Sequence, residues 1–485
     1  MQLRDLLRET SWGSNASSVP NIEIKSISCD SRKISKDTLF FAFKGSRFNG
    51  VDFISSAIQK GARTIVTDAT TEISPKLPDI CYLQVDNPVE FLREVAKTFF
   101  AQPSTLVKTI GITGTNGKTT TTYLIESILK HANYSCGVIG TVNYRIDNNV
   151  LPATNTTPAF LDIQEMLSQM VRAGTEYCVM EVSSHALDQR RVDLVDFHTA
   201  IFTNLTNDHL DYHKTKDNYF QAKSKLFTGL KEQAHAIINV DDVYGRKLIS
   251  KTPAQIRTYG IKNKADVMAQ DIKMSISGTQ FKLKAPEGEI IIQSPLLGNH
   301  NVSNMLAAAS AALIDGFSFE KIKAGIEKLT IIPGRLERVD YGQDYSIVID
   351  YAHTPDALEN VLKTIKYICD SRIILVFGCG GDRDPSKRPL MGSAACQWAD
   401  LSIVTSDNPR SEDPREIINQ AVAGFTKNNF MVIENREEAI GKALDLAQKG
   451  DLVIIAGKGH EQYQIFKDKT INFDEKQIIK NHLFK

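Results

Sequence analysis

The chain has little that would tie it to a membrane, an oxidising compartment or a polyanion. No long apolar run interrupts its 485 residues, so no segment is expected to span a bilayer. The opening MQLRDLLRETSW places charges where a secretory signal needs an apolar core. The seven cysteines (Cys29, Cys81, Cys136, Cys178, Cys369, Cys379 and Cys396) include no C-x-x-C spacing. That argues against a zinc site or a disulfide framework and reads as reduced thiols. Neither charge sign is in excess, since Lys plus Arg and Asp plus Glu each number 57. A balanced chain is not built to grip nucleic acid through its phosphates. These absences leave a cytoplasmic enzyme as the expectation, with no membrane insertion and no nucleic-acid partner.

What is present points to nucleotide chemistry. The length calls for about two to four domains. The stretch LVKTIGITGTNGKTTTTYLIESILKHA opens as a strand carrying Val107, Ile110 and Ile112. It breaks at Gly114-Thr115-Asn116-Gly117 and enters a helix at Lys118. Leu124, Ile125, Ile128 and Leu129 then fall on one helical face, the spacing of a helix packed on a sheet. Such a turn and the unsatisfied first helical turn point backbone N–H groups at an anion. Lys118 adds a mobile positive charge for β- and γ-phosphates, and the hydroxyl of Thr119 suits magnesium. The usual G-x-x-x-x-G-K-S/T pattern wants a glycine where Ile112 stands. A turn that merely needs glycine would not also require the Lys-Thr that follows.

Composition shifts divide the chain into residues 1–102, 103–333 and 334–485. The first part alternates short apolar runs with turn residues, then a helix over 52–60 and a strand over 63–67, which reads as a small α/β domain. In the second, strands over 136–141, 177–182 and 199–204 alternate with helices, predicting a parallel sheet covered on both faces. Ligands collect at the carboxyl ends of such strands. Glu181, Asp208, His209 and the Asn155-Thr156-Thr157 loop all fall there. A carboxylate closing a buried strand beside a phosphate loop suits magnesium, although a capping or ion-paired acid has the same look. Lys223 shares a helical stripe with Tyr219, Leu226 and Leu230. Its ammonium therefore either snorkels or is neutralised, paired or modified, for example as a carbamate formed with CO2. Residues 258–294 are β-rich, and a strong helix with Asn301 near its N-terminus follows.

The third part reads as a second doubly wound α/β domain, with strands that end in charge. Asp350 and His353, then 382–388, 407–410 and 458–461, are the clusters. Charged loops converging at strand ends suggest a pocket for a small zwitterion; solvated loops are the plainer alternative.

TGTNGKTT, MEVSSHAL, TNDHLDYH, YFQAKSKLF, LGNHNVSNMLAA, PGRLE, DYAHTPDAL, FGCGGDRDPSKRPLMG, DNPR and AGKGHE occur in that order. In them the chain resembles the Mur ligase family, ATP-dependent amide-forming enzymes of peptidoglycan precursor synthesis. The resemblance implies three α/β domains: a small N-terminal one, a central P-loop sheet and a C-terminal Rossmann-like one. It implies that Gly114, Thr115, Asn116, Gly117, Lys118, Thr119 and Thr120 bind ATP, aided by Asn301, Arg335 and Asp350. Thr119, Glu181, His209 and Lys223 would serve magnesium, with Lys223 carbamylated; Lys118, Glu181, His209 and Lys223 would be the catalytic set. Cys29, Ser31, Ser46, Arg47 and Phe48 match the uridine-nucleotide site. Asn155, Thr156, Thr157, Ser183, Gln189 and Arg191 match residues that hold the muramoyl dipeptide. Arg388, Asp407, Asn408, Pro409, Arg410, Gly457 and Glu461 match the pocket for the incoming amino acid. Phe48-Asn49-Gly50 departs from the Asp-Gly that many members carry.

The substrates so implied are ATP, UDP-N-acetylmuramoyl-L-alanyl-D-glutamate and meso-diaminopimelate, the last from the DNPR form, on a monomeric enzyme. A carboxylate acylates poorly, so ATP would first convert it to an acyl phosphate for an amine to attack. Two other readings share the phosphate loop: a folylpolyglutamate synthetase, and a regulator or motor that hydrolyses ATP without an amine.

Overall fold

The computed structural model describes residues 1–45, 48–147, 149–275, 278–368 and 370–484. Ser46 and Arg47, both expected at the uridine-nucleotide site, lie outside the described residues, as does Cys369. The described residues form three main sheets, each with its own apolar core.

The N-terminal sheet runs Ser26–Ser28, Thr38–Phe41, Ala62–Asp68, Cys81–Val85 in sequence order, all parallel. Helix Pro88–Phe100 covers it, burying Phe91, Leu92 and Val95 against Leu39, Phe41, Val66 and Leu83. Asn87 starts that helix by accepting a hydrogen bond from the Glu90 amide, with Pro88 at its first position. The helix expected over 52–60 is a 3-10 turn, Gly50–Phe53, followed by helix Ile54–Gln59.

The central sheet is built around strand Lys108–Thr113, which pairs in parallel with Tyr177–Glu181 on one side and Phe197–Phe202 on the other. Side chains alternate between faces along a strand. Tyr177 and Val179 accordingly enter the core under helices Lys118–His131 and Asn299–Ile314. Cys178 and Met180 enter the opposite core, under helices Phe160–Arg172 and Lys216–Thr228. Glu181 continues the first of these rows, which aims it at the start of helix Lys118–His131. The β-rich segment is not a separate unit. Val267–Ser275 joins the same sheet in parallel with Gln255–Gly260, Gly278–Ala285 and Gly288–Ser294 extend it with antiparallel pairing, and Asn143–Ile146 and Asn149–Pro152 do so at the other edge.

The C-terminal sheet has the order Glu337–Val339, Ser346–Asp350, Leu452–Ala456, Ile373–Cys379, Leu401–Ser406, Phe430–Val432, parallel but for its first strand. Strand Leu452–Ala456, late in the chain, inserts between the two earlier strands. That brings the loop after Ala456 beside Asp350 and near the loop after Ser406. Among the described residues, no helix is long and apolar enough to cross a membrane.

Candidate active site

Two positions in the phosphate loop admit only glycine. Gly114 has φ +153° and a Cβ there would lie 1.9 Å from Thr203 Oγ1; at Gly117, φ +90°, it would lie 2.4 Å from Asn304 Oδ1. The loop is pinned from strand Phe197–Phe202. That strand stops two residues earlier than the sequence suggested, freeing Thr203 and Asn204 to bind the loop. Thr203 Oγ1 donates to the Asn116 carbonyl at 2.6 Å, and Asn204 Oδ1 accepts from the Asn116 amide at 2.9 Å. The amides of Thr115 and Asn116 are thus taken up by Asn204, and Gly117 with the first helical turn, Lys118 to Thr120, lines a cleft of about 280 Å³ between the central and C-terminal domains. Lys118 Nζ curls back to the carbonyls of Gly114 and Thr115, both at 2.9 Å. Burial lowers its pKa, opposed by the carboxylates of Glu181 and Asp208.

The other expected ATP residues line the same cleft, with Thr120 in the first turn of the helix. Asn301 Nδ2 donates to the Leu297 carbonyl at 2.8 Å and Asn301 Oδ1 accepts from Asn304. Arg335 reaches across from the C-terminal side, with Nη2 at 3.3 Å from Thr119 Oγ1 and the guanidinium 4.5 Å from the Tyr351 ring centroid. Asp350 braces backbone, accepting from the amides of Leu336 at 2.6 Å and Ala352 at 2.8 Å.

Glu181 is the junction of the site. Its Oε2 accepts from the hydroxyls of Thr119 at 3.0 Å and Thr141 at 2.8 Å, and its Oε1 accepts from the Thr141 amide at 2.9 Å. His209 lines the cleft opposite, its ring edge-on to His185 at 4.9 Å and beside Asp208. Burial, only partly opposed by Asp208, keeps this imidazole neutral. Lys223 does not snorkel. It is 1% exposed, donates to the Gly114 carbonyl at 2.8 Å and sits over the Tyr219 ring at 4.6 Å. Burial, and then the charge of Lys118, push its pKa well down. Lys225, two residues on, points away and pairs with Asp188.

Among the described residues, no group of three or more His, Cys, Asp or Glu could hold a metal ion alone. The donors present still fit magnesium, which takes one or two protein oxygens and completes its shell with phosphate and water. The hydroxyl of Thr119 and the carboxylate of Glu181 are such oxygens, set at the mouth of the phosphate loop.

The polar loop before helix Phe160–Arg172 joins this junction. Thr141 Oγ1 lies at hydrogen-bond distance, 3.1 Å, from Thr156 Oγ1, and Thr157 Oγ1 donates to the Glu181 carbonyl at 2.8 Å. Ser183 donates its amide to Thr157 Oγ1 at 3.0 Å; Arg191 Nη1 donates to the Thr157 carbonyl at 2.9 Å and its Nη2 to Gln189 Oε1 at 2.6 Å. The Asn155 carbonyl accepts from the Tyr144 hydroxyl at 2.6 Å. Gln189 and Arg191 also line a second cleft of about 490 Å³, between the N-terminal and central domains, and Cys29 faces them there. Ser31 lies close by, its carbonyl accepting from Lys60 at 2.9 Å. Phe48 is not part of that cleft; it is 71% exposed and its ring meets Phe53.

In the C-terminal domain the predicted amino-acid residues converge. Asn408 Nδ2 donates to Glu461 Oε2 at 3.0 Å. After Pro409, Arg410 adopts φ +53° and its Nη1 donates to the Gly381 carbonyl at 2.6 Å. Gly457, φ +116°, passes so close to Asp407 that a Cβ would lie 2.7 Å from Oδ2. Arg388 is nearly fully buried; its Nη2 pairs with Glu412 at 2.8 Å and its Nη1 donates to Gln420 at 2.7 Å, while its Nε has no partner among the described residues.

Several participants carried no signal in the sequence. Thr141 looked like the end of a strand. Tyr351 joins the two halves of the cleft, lying against Arg335 and donating its hydroxyl to Glu461 Oε1 at 3.3 Å. Asp356, in the first turn of helix Pro355–Ile368, accepts from Asn116 Nδ2 at 3.1 Å, linking the phosphate loop to the C-terminal domain. Lys458 does carry one, as the first residue of the charged cluster 458–461, and it is 0% exposed amid the residues expected at the amino-acid site.

A P-loop sheet flanked by two further α/β domains, with a cleft at each junction, fits an ATP-dependent ligase, and the chain belongs to the Mur ligase family. The models described as Mur ligase family, catalytic domain, as Mur ligase middle domain and as Mur ligase, glutamate ligase domain match residues 23–100, 112–312 and 334–459. The UDP-N-acetylmuramoyl-L-alanyl-D-glutamate–2,6-diaminopimelate ligase of Clostridium tetani is 43% identical over 482 residues, 99% of each chain. A solved structure of a ligase of that same name aligns with TM-score 0.67 at 33% identity, covering 100% of this chain and 99% of the other. The MurF ligase from Thermotoga maritima, solved in complex with ADP, has TM-score 0.65 at 20% identity over 89% and 93% of the two chains, a likeness of fold.

Proposed function

We propose that the chain is the ATP-dependent ligase that joins meso-2,6-diaminopimelate to UDP-N-acetylmuramoyl-L-alanyl-D-glutamate, a step of peptidoglycan precursor synthesis in the cytoplasm. The observation that carries this reading is the Glu181 junction. One carboxylate is hydrogen-bonded to Thr119 at the phosphate loop and, through Thr141, to Thr156 in the polar loop. In this reading the transferred phosphoryl group and the acceptor carboxylate meet at this junction. Relatives of that name match along essentially the whole chain, which supports the same assignment.

In this reading residues 1–102 hold the uridine nucleotide, 103–333 hold ATP and 334–485 hold the amino acid, on a monomer. The glutamyl side-chain carboxylate attacks the γ-phosphorus, the bond to the departing ADP oxygen breaks, and an acyl phosphate forms. The amine of diaminopimelate then attacks the acyl carbon; the carbon–oxygen bond to phosphate breaks and the amine gives up a proton. Lys118 compensates charge on the transferred group. Magnesium, when bound, supplies further charge compensation at the phosphates, and Thr119, Glu181, His209 and a carbamylated Lys223 are the residues to hold it. The carbamate forms when the neutral Nζ attacks CO2 and releases a proton, which the low pKa of this buried amine favours. Closure of the three domains around the substrates would exclude water, which would otherwise hydrolyse the acyl phosphate.

The test is ADP release in assays that omit one substrate at a time. A ligase releases ADP steadily only with both the UDP-linked dipeptide and the amino acid present. Equal release without the amine contradicts the reading and favours a regulator or motor.

A further inference from the structure

Lys458 is the buried cation around which the amino-acid residues are assembled. Its Nζ donates to Asn408 Oδ1 at 3.0 Å and to the Tyr463 carbonyl at 2.8 Å, and lies 3.4 Å from Asp407 Oδ1 and 3.7 Å from Glu461 Oε2. Asp407 and Asn408 follow strand Leu401–Ser406, whereas Lys458 and Glu461 follow Leu452–Ala456, and strand Ile373–Cys379 separates the two in the sheet. One ammonium therefore ties two loops that the sheet holds apart.

The pairing also has an electrostatic purpose. Two carboxylates in one buried pocket resist ionising together unless a cation stands between them. Burial and the charge of Asp407 raise the Glu461 carboxyl, and Lys458 opposes the rise. Burial would raise Asp407 too, but Lys458 and Arg436 outweigh it and hold that carboxyl low. Arg436 itself pairs through Nη2 with Glu475 and donates to the Ala456 carbonyl, each at 2.8 Å. The remaining groups facing Glu461 are the phenols of Tyr351 and Tyr463, the Asn408 amide and Arg410; Glu475 is the further acid that feels Lys458. The Lys458 side chain is 0% exposed and that of Glu461 15%, so the lysine is enclosed while the glutamate is partly open.

We propose that Lys458 is a positioning residue for the incoming amino acid: it supplies the positive charge that Asp407 and Glu461 share and holds both in place so that Glu461 receives the far ammonium. This rests on the function proposed above.

The experiment measures KM for meso-diaminopimelate in the full-length enzyme and in Lys458→Met, across pH, each as the ratio of variant to unmodified enzyme. Without the lysine, Glu461 gives up its proton less readily, and the deficit is larger at lower pH. The ratio should be about tenfold or more near pH 7 and shrink to about threefold or less near pH 9. KM for ATP and for the UDP-linked dipeptide should stay within about twofold of the unmodified values. Lys458→Gln, whose amide can keep the hydrogen bonds to Asn408 and Tyr463 without the charge, carries the same test should the methionine variant misfold. An unchanged KM, or a ratio equal at every pH, overturns the proposal. An unmodified enzyme that does not turn over meso-diaminopimelate overturns the functional reading instead, and this inference with it.

Discussion

The hydroxyl of Thr119 lies 3.0 Å from Oε2 of Glu181, joining the start of the phosphate-loop helix to the end of a neighbouring strand. The same oxygen accepts from Thr141 at 2.8 Å. An uncharged amide at residue 181 can keep the fold but cannot supply the anionic oxygen that phosphate and metal chemistry asks for. Glu181→Gln is expected to fold with an unchanged melting temperature and to lose about a hundredfold or more in kcat. Steady-state ADP release together with a thermal melt checks both halves of this expectation.

Lys223 offers a second test, because its amine is enclosed and not solvated. Lys223→Ala should lose about a hundredfold in turnover. A short carboxylic acid added to the variant should restore part of the loss by occupying the vacated space with an anionic oxygen. Mass spectrometry of the unmodified enzyme under bicarbonate, after trapping of the carbamate, gives an independent reading. Full activity in the alanine variant would exclude a role in catalysis.

The nucleotide cleft should also contribute to acid sensitivity. Burial lowers the pKa of His300, at the rim of the cleft, to about 4. The unfolded chain protonates this group near pH 6.5. Between those two values the unfolded state holds more protons, so stability is present above about pH 6.5 and declines as the pH falls toward about 4. His300→Gln should flatten this part of the melting-temperature profile. An identical acid-side slope in the variant would contradict the assignment.

Much of the site was legible because its signals are local. The phosphate loop is a run of adjacent residues, and the position of Lys223 follows from four-residue helical spacing with Tyr219 and Leu226. The alternation along strand Tyr177–Glu181 likewise fixes the face on which Glu181 emerges. What stayed hidden depends on residues far apart in the chain. Arg388 reads as a free guanidinium until Glu412 is found beside it. Asp356 meets Asn116 across a domain junction, and Lys458 gains its meaning only once strand Leu452–Ala456 inserts into the middle of its sheet. The same holds for 258–294, whose β character was evident but whose union with the central sheet depends on pairing between Gly260 and Met268. No single-chain periodicity encodes which sheet an added hairpin joins.

The central claim is tested most directly by the choice of amino acid. Arg410 is aimed by its left-handed backbone and by the bond of its Nη1 to Gly381, and its planar fork suits a carboxylate and repels an ammonium. Meso-diaminopimelate carries a carboxylate and an amine at its far end, whereas L-lysine carries only the amine. The measurement is kcat/KM for the two amino acids, with saturating ATP and UDP-N-acetylmuramoyl-L-alanyl-D-glutamate, in the unmodified enzyme and in Arg410→Ala. The account predicts a preference for meso-diaminopimelate of about a thousandfold or more, falling steeply in the variant. Comparable kcat/KM for L-lysine in the unmodified enzyme would contradict it.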